Sequence, residues 1–479
     1  MDVFNIILNP EVLLSMGMLS LVLYGINMST LKITIGVLII SVFGFNGGGA
    51  EELNSFGESA LKLIEIGWPC YITNGFLIGG AENCWIIISK IIIIIGSISI
   101  LLMGHANITA KPHQVSSILI LIVVLSSLLL VSSVNWLSIY LAIELQTLTL
   151  FILTAFKRDS AYSTEAGLKY FVLGAVSSGL FLFGCALLYG LIGETSIQGG
   201  FAGNSMSRDA GKILITISLL FKLSAAPFHM WAPDVYDGAP TMITALLATV
   251  PKIGVFSILV QIGPVANVVL ICGVLSIICG AIGALNQTKI KRLLAYSGIG
   301  HMGFILFGIA IGSFESIQAS LIYMIIYIIM SVCSFSIILS LNLTKDLIIE
   351  ISGLSRDNPV IGLTLALAFL STAGIPPLAG FLSKWLILLS GISSGHYLIC
   401  IIAVISSVIA GVYYVRVVQI IYFQADYPIL IFQRVLKKDK NVDLSKSLLI
   451  GSTFFVILFL MISPNFLLQI TQDATISLY

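Results

Sequence analysis

Charge is what this chain has least of. Only 9% of its 479 residues are Asp, Glu, Lys or Arg, whereas a water-soluble domain carries about 25% to cover its surface. That scarcity excludes a chain whose main solvent is water. The formal net charge of +1 leaves no basic field for nucleic acid and no acidic tail for a cationic partner. No Lys or Arg precedes Lys32, while Asp2 and Glu11 do, so the basic opening of a cleaved signal is missing and Met1 is expected as the mature start. The seven cysteines include no C-x-x-C pair. Cys185, Cys272, Cys279, Cys333 and Cys400 lie in apolar runs, where small buried thiols are ordinary. Cys70 and Cys84 share one loop and could pair in an oxidising compartment, but two free thiols are expected. Walker motifs, metal-ligand clusters, flavin sites and nucleophile triads are also missing, so no redox or hydrolytic chemistry is expected in the chain itself. The run Gly298, Gly300, Gly303 matches G-x-G-x-x-G, yet it sits inside a hydrophobic segment without the strand that a dinucleotide site requires. Close helix packing explains those glycines.

What the chain has in abundance is apolar length: 58% of its residues are hydrophobic. A bilayer core of ~30 Å needs about twenty apolar residues in helix. Runs near 12–28, 31–46, 85–104, 115–135, 136–156, 164–192, 211–231, 240–263, 265–285, 291–312, 315–342, 360–390, 395–424 and 447–470 meet that need, which makes fourteen spans. The expectation is therefore an all-α polytopic membrane protein. Basic residues test the count. Odd-numbered loops hold Lys32, Lys111, Lys157, Arg158, Lys289, Lys291, Arg292, Lys345, Arg356, Arg434, Lys437, Lys438, Lys440 and Lys446, fourteen in all, against Lys62, Arg208 and Lys212 in even loops. Positive charge stays inside, so both termini are expected to face outward.

Two spans carry proline within small residues, LLFKLSAAPFHMW (219–231) and LSTAGIPPLAGFLSKW (370–385). Proline removes an intrahelical bond and clashes with the turn before it, so both helices should break there. A simple packing kink is the plainer reading. One broken helix in each half is instead the pattern of a transporter built from inverted repeats. The expected organisation is an N-terminal three-helix segment (1–114), two five-helix repeats (115–263 and 264–424), and a C-terminal loop with the last helix (425–479).

The charges inside these spans carry the functional signal. A charge at mid-helix costs ~2.5–3.5 kcal/mol on insertion scales and needs a partner or water. Lys90 and Arg416 lie near span ends and are expected to snorkel to the interface. Lys169 is ambiguous, near the start of its span. Glu144, Lys222 and Lys252 have apolar residues on both sides and cannot snorkel. A structural salt bridge is the bland reading, but one glutamate cannot pair with several lysines. Burial favours the neutral amine and a nearby carboxylate the charged one, so such a lysine can exchange a proton as its partner moves. Lys222 lies just before the Pro227 break, where a helix C-terminus favours a cation, and Lys384 lies after Pro376 and Pro377. His229 and His301 are secondary candidates, His301 ahead because Ser297 and its neighbouring glycines make room for water.

The segments LAIELQTL (141–148), EAGLKYFVLGA (165–175), APFHMWAPDVYDGAPT (226–241), KRLLAYSGIGHMGF (291–304) and AGIPPLAGFLSKW (373–385) together resemble the N-type antiporter-like subunits (subunit 2) of respiratory NADH:quinone oxidoreductase, complex I. The resemblance runs from about residue 115 to 420. It implies that Glu144 and Lys222 form the ion pair of one half-channel, with Lys169 nearby as a modulating or entry lysine. Lys252 would be the central relay, Lys384 the exit residue, and His301 a group lining the hydrated axis. M-type relatives usually carry glutamate at the position of Lys384. The resemblance further implies proton translocation coupled to quinone reduction elsewhere, with no cofactor in this chain and NADH, FMN, iron–sulfur clusters and ubiquinone handled by partner subunits. Implied partners are other antiporter-like subunits, small membrane subunits and lipids. The implied location is the mitochondrial inner membrane with termini on the intermembrane-space side, or else a bacterial plasma membrane. A multisubunit Na⁺/H⁺ antiporter subunit is the alternative, and a scaffold whose buried charges only lock helices together is a third.

Overall fold

The computed structural model describes residues 11, 14–18, 30–43, 84–104, 112–197, 206–341, 343, 345–423 and 443–478. Cys70, Lys62, Lys111, the basic stretch 434–440 and most of the first expected span lie outside them. In hydrocarbon a backbone polar group has no water to bond, so an apolar run satisfies its own amides by forming a helix. The first described helices are α1 (Thr30–Phe43), α2 (Cys84–Gly104), α3 (Pro112–Ser132), α4 (Trp136–Thr154) and α5 (Ala161–Ile192). Next come α6 (Met206–Lys222), α7 (Trp231–Gly238), α8 (Thr241–Ala248), α9 (Val250–Ile262), α10 (Ala266–Ala284), α11 (Ile290–Ile311) and α12 (Phe314–Leu341). The chain closes with α13 (Pro359–Ala373), α14 (Ala379–Ser393), α15 (Tyr397–Tyr422), α16 (Leu444–Phe459) and α17 (Asn465–Ile476).

Each expected span from the second to the fourteenth coincides with one of these helices or a consecutive pair. Nine spans among the described residues are long and apolar enough to cross a bilayer, and α13, α14 and α16 are shorter apolar helices. The fold is an all-helical membrane bundle with two five-span repeats, each containing one broken helix. Five is an odd number, so the second repeat enters the membrane from the side opposite to the first and is inverted.

The breaks fall where the prolines sit, and both half-helices end the same way. In the first, Ser224 has φ 59°, its N–H bonds the Phe221 carbonyl at 3.1 Å, and the Ala225 N–H reaches back to Leu220 at 3.0 Å. In the second, Gly374 has φ 85°, its N–H bonds Ser371 at 2.9 Å, and Ile375 reaches back to Leu370 at 3.2 Å. This paired i−3 and i−5 pattern is the Schellman stop, closed by a left-handed residue. The cis peptide bonds Ala226–Pro227 and Pro376–Pro377 follow.

Three details depart from the expected spans. The eighth is interrupted at Thr249 (φ −116°, ψ −83°) between α8 and α9, because Pro251 lacks an amide to continue the ladder. The fourteenth is not continuous to residue 470: α16 ends at Phe459, and α17 restarts behind Pro464. Lys90 does not snorkel. Its side chain is 2% exposed and pairs with Glu11 at 3.2 Å, and Glu11 in turn accepts from Ser132 Oγ at 2.7 Å. The carboxylate contributed by the N-terminal segment makes the interior available to this lysine. Cys84 is disulfide-bonded, which corrects the expectation of a free thiol. Arg416 is exposed and donates to the Leu285 carbonyl at 3.3 Å, as a span-end residue should.

The sides of the bundle sort as the loop charges do. Residues near odd-numbered loops converge at one end: Lys289 pairs with Asp237 at 2.8 Å, Arg292 with Asp234 and Lys291 with Asp346 at 2.8 Å. At the other end Asn135 and Ser196, both beside even loops, form a β-bridge. The Gly298–Gly303 run lies within α11, as packing requires. A Cβ on Gly280 of α10 would stand 2.5 Å from the Gly300 nitrogen, so α10 and α11 touch backbone to backbone.

Candidate functional site

Lys222 is the last residue of α6, so it stands at the carboxyl end of a half-helix, where the aligned peptide dipoles favour a cation. Its Nζ is buried and has no hydrogen-bond partner. Glu144, half-buried on α4, acts on Lys222 electrostatically without forming the direct ion pair that the resemblance implied. Its Oε2 instead accepts from Thr147 Oγ1 at 3.3 Å. The two groups act on each other without closing into an ion pair. Gly174 of α5 lies beside the Lys222 amine, since a Cβ there would lie 3.9 Å from it. Gln146 on α4 adds a second buried donor, Nε2, without a partner.

Lys169 sits elsewhere. Its amine pairs with Glu165 and with Asp234, both at 2.8 Å, and Asp234 is shared with Arg292. The two carboxylates draw Lys169 toward the end of the bundle rather than toward Glu144. Sequence reasoning passed over Asp234, although it stands in the APFHMWAPDVYDGAPT segment. Its signal was a carboxylate three positions before a second one, Asp237, just past a broken helix.

Lys252 lies directly behind the Thr249 interruption, 2% exposed. Its amine donates to the Tyr327 hydroxyl at 3.4 Å and lies 5.4 Å from the Tyr327 ring and 6.0 Å from the Tyr236 ring. Aromatic faces stabilise an ammonium without adding a formal charge. Pro251, the residue before it, was the sequence signal for this interruption.

Lys384 is on α14, after the second break, yet its side chain reaches back across it. The amine donates to the carbonyls of Thr372 at 3.2 Å and Ala373 at 2.7 Å, capping the last turn of α13. His301 of α11 is 6% exposed. Tyr323 Oη lies 2.8 Å from its Nδ1 and Tyr414 Oη 3.5 Å from its Nε2. Lys252 and Lys384 both act on the ring electrostatically. A cavity of ≈ 20 Å³ is bounded by Ser297, His301, Thr372, Lys384 and Tyr414, about the room one water needs. His229, the weaker histidine candidate, is half-buried with Nδ1 unpartnered. Among the described residues no three His, Cys, Asp or Glu side chains gather as a metal ion would need.

The family described as NADH:quinone oxidoreductase/Mrp antiporter, TM, matches residues 133–410, a stretch that contains Glu144, Lys169, Lys222, Lys252, His301 and Lys384. The chain belongs to that family. NADH-ubiquinone oxidoreductase chain 2 of Metridium senile is 63% identical over 377 residues, which are 76% of this chain and 98% of that protein. NADH-quinone oxidoreductase subunit N of Paramagnetospirillum magneticum is 42% identical over 370 residues, 72% of this chain and 74% of that protein. A chain of respiratory complex I from Thermus thermophilus superposes with a TM-score of 0.79 at 25% identity, covering 96% of this chain and 98% of its own length. Membership of the chain 2/subunit N group makes this protein one membrane subunit of a larger complex. Its relatives come from mitochondria and from bacteria.

Proposed function

We propose that this chain is a proton-translocating membrane subunit of an NADH:ubiquinone oxidoreductase. Protons pass along Glu144, Lys222, Lys252 and Lys384, with Lys169 and His301 in secondary roles. The repeats 115–263 and 264–424 each supply one half of the path. The driving reaction, quinone reduction by NADH through FMN and iron–sulfur clusters, belongs to partner subunits, and this chain carries no cofactor. Neighbouring antiporter-like and small membrane subunits would flank it in the mitochondrial inner membrane, with both termini on the intermembrane-space side.

One observation carries the reading: Lys222 ends the first broken half-helix, the Lys384 amine caps the second, and buried Lys252 lies on a span between the two breaks. A scaffold would close Glu144 onto Lys222, whereas this pair is left apart with the amine unpartnered. A group that must change its proton needs such freedom. In the assembled complex in vesicles, Glu144→Gln or Lys222→Ala is expected to lower pumping and coupled turnover while assembly survives. Full pumping with either change would sink the proposal. The family description also includes Mrp antiporters. Purification of the chain in a complex without flavin and iron–sulfur subunits would favour that second reading.

A further inference from the structure

Three buried tyrosines, Tyr327, Tyr323 and Tyr414, stand between Lys252 and Lys384 around His301. Tyr323 and Tyr327 lie one turn apart on one face of α12. Tyr327 accepts from Lys252, and its ring centre is 5.4 Å from that of His301. Tyr323 meets one nitrogen of His301 and Tyr414 the other. Tyr414 shares the lining of the small cavity with Ser297, Thr372 and Lys384, and the Thr372 carbonyl accepts from Lys384. The three tyrosines are at most 5% exposed. Phenylalanine would fill the same volume, and each hydroxyl buried here carries a desolvation cost unless it is bonded. Packing therefore does not account for the oxygens.

We propose that Tyr327, Tyr323 and Tyr414 are proton-passing groups that join Lys252 to Lys384 through His301. This rests on the proton-path reading above. Lys252 as an ammonium gives one proton to the Tyr327 oxygen as the Tyr327 hydroxyl proton moves on toward Tyr323 and His301. The imidazole takes a proton at Nδ1 and releases one from Nε2 to Tyr414. Tyr414 passes its own proton, by way of the small cavity, to neutral Lys384. Every hydroxyl gains one proton as it loses one, so no tyrosinate forms, and one positive charge has moved from Lys252 to Lys384. A neutral imidazole has one N–H and one lone pair, which suits this exchange. Hydroxyls avoid the cost of holding an ion in the dry interior.

The test is proton pumping by the intact complex in vesicles with Tyr327→Phe, Tyr414→Phe and both together. The double variant is expected to pump about tenfold less or worse, as for loss of a positioned proton-transfer group. Its solvent deuterium isotope effect should rise, which a packing defect would not cause. Each single variant is expected to lower pumping about threefold, and these decide the matter where the double variant does not assemble. Tyr397→Phe, at an exposed position, is expected to be silent. Lys252→Ala separates the two ideas. If Lys252→Ala is impaired while the tyrosine variants pump within twofold of wild type, the relay is overturned and the path reading stands. If Lys252→Ala pumps fully, the path reading fails and this proposal with it. Lowered pumping with an unchanged isotope effect assigns the loss to packing and also overturns the relay.

Discussion

The two broken helices share a backbone design and differ in their charge design. Ser224 and Gly374 occupy the same left-handed stop, and Pro227 and Pro377 the same cis peptide position, each pair 150 residues apart. At that offset Lys222 corresponds to Thr372, and Asp234 to Lys384. The first break thus has its cation on the leading half-helix and a carboxylate on the trailing one. The second has its cation on the trailing half-helix, folded back onto the leading one. In the first break the end carbonyl of Phe221 is satisfied by the Trp231 indole at 3.0 Å, which leaves the Lys222 amine unpartnered. In the second, Lys384 takes the capping task itself. The repeat therefore conserves where the helix stops, while the means of satisfying the freed carbonyls decides whether the lysine is held or left loose.

Replacing each lysine by methionine is the strongest way to break this comparison. Lys384→Met leaves the Thr372 and Ala373 carbonyls without their donor, at about 1–3 kcal/mol each. Lys222→Met removes an amine that bonds nothing and should be neutral or stabilising. Both are expected to impair pumping, but only Lys384→Met should lower the midpoint of heat dissociation of the purified complex. Equal losses of stability would show that Lys222 is held by structure after all.

That contrast was only half legible in the sequence. Proline within small residues located both breaks, and twenty-residue apolar runs located the helices, because each signal acts within one turn or one span. The lysines of the path could be named for the same reason: a charge without polar neighbours is conspicuous in an apolar run. What those amines touch depends on elements far apart in sequence. The Lys222 region needs α4 and α5 beside α6, and Lys169 is taken by Asp234, 65 residues away. Lys90 read as a snorkelling residue because its carboxylate, Glu11, comes from the N-terminal segment far away in sequence. The tyrosines left no signal, since a tyrosine in an apolar run looks like any interfacial or core aromatic.

A smaller effect is expected from Gly374→Ala. A Cβ there would stand 2.9 Å from Lys384 Cδ and 3.0 Å from Nζ, in a backbone conformation with φ 85°. The left-handed conformation alone costs a residue with a side chain about 1–2 kcal/mol. The methyl group would also push the Lys384 amine off its two carbonyls, so pumping should fall together with stability. Retained pumping with lowered stability would mean that Lys384 acts without holding the stop, and would make the two breaks more alike than their contacts suggest.

The smallest expected effect comes from Ser224→Gly, which gives the first break the residue that the second already has. Ser224 is buried, at φ 59°, and its hydroxyl donates only to the carbonyl of the adjacent Leu223. Glycine removes the steric cost of about 1–2 kcal/mol for the left-handed conformation, and its extra freedom in the unfolded chain returns roughly 0.5–1 kcal/mol. The net gain should be on the order of 0.5 kcal/mol, seen as a slightly higher dissociation midpoint. Because the Lys222 amine does not depend on this stop for a partner, pumping should not change. A loss of pumping in Ser224→Gly would show that the Ser224 hydroxyl serves Lys222 in another conformation, and would make the first break a moving part where the second is a fixed one.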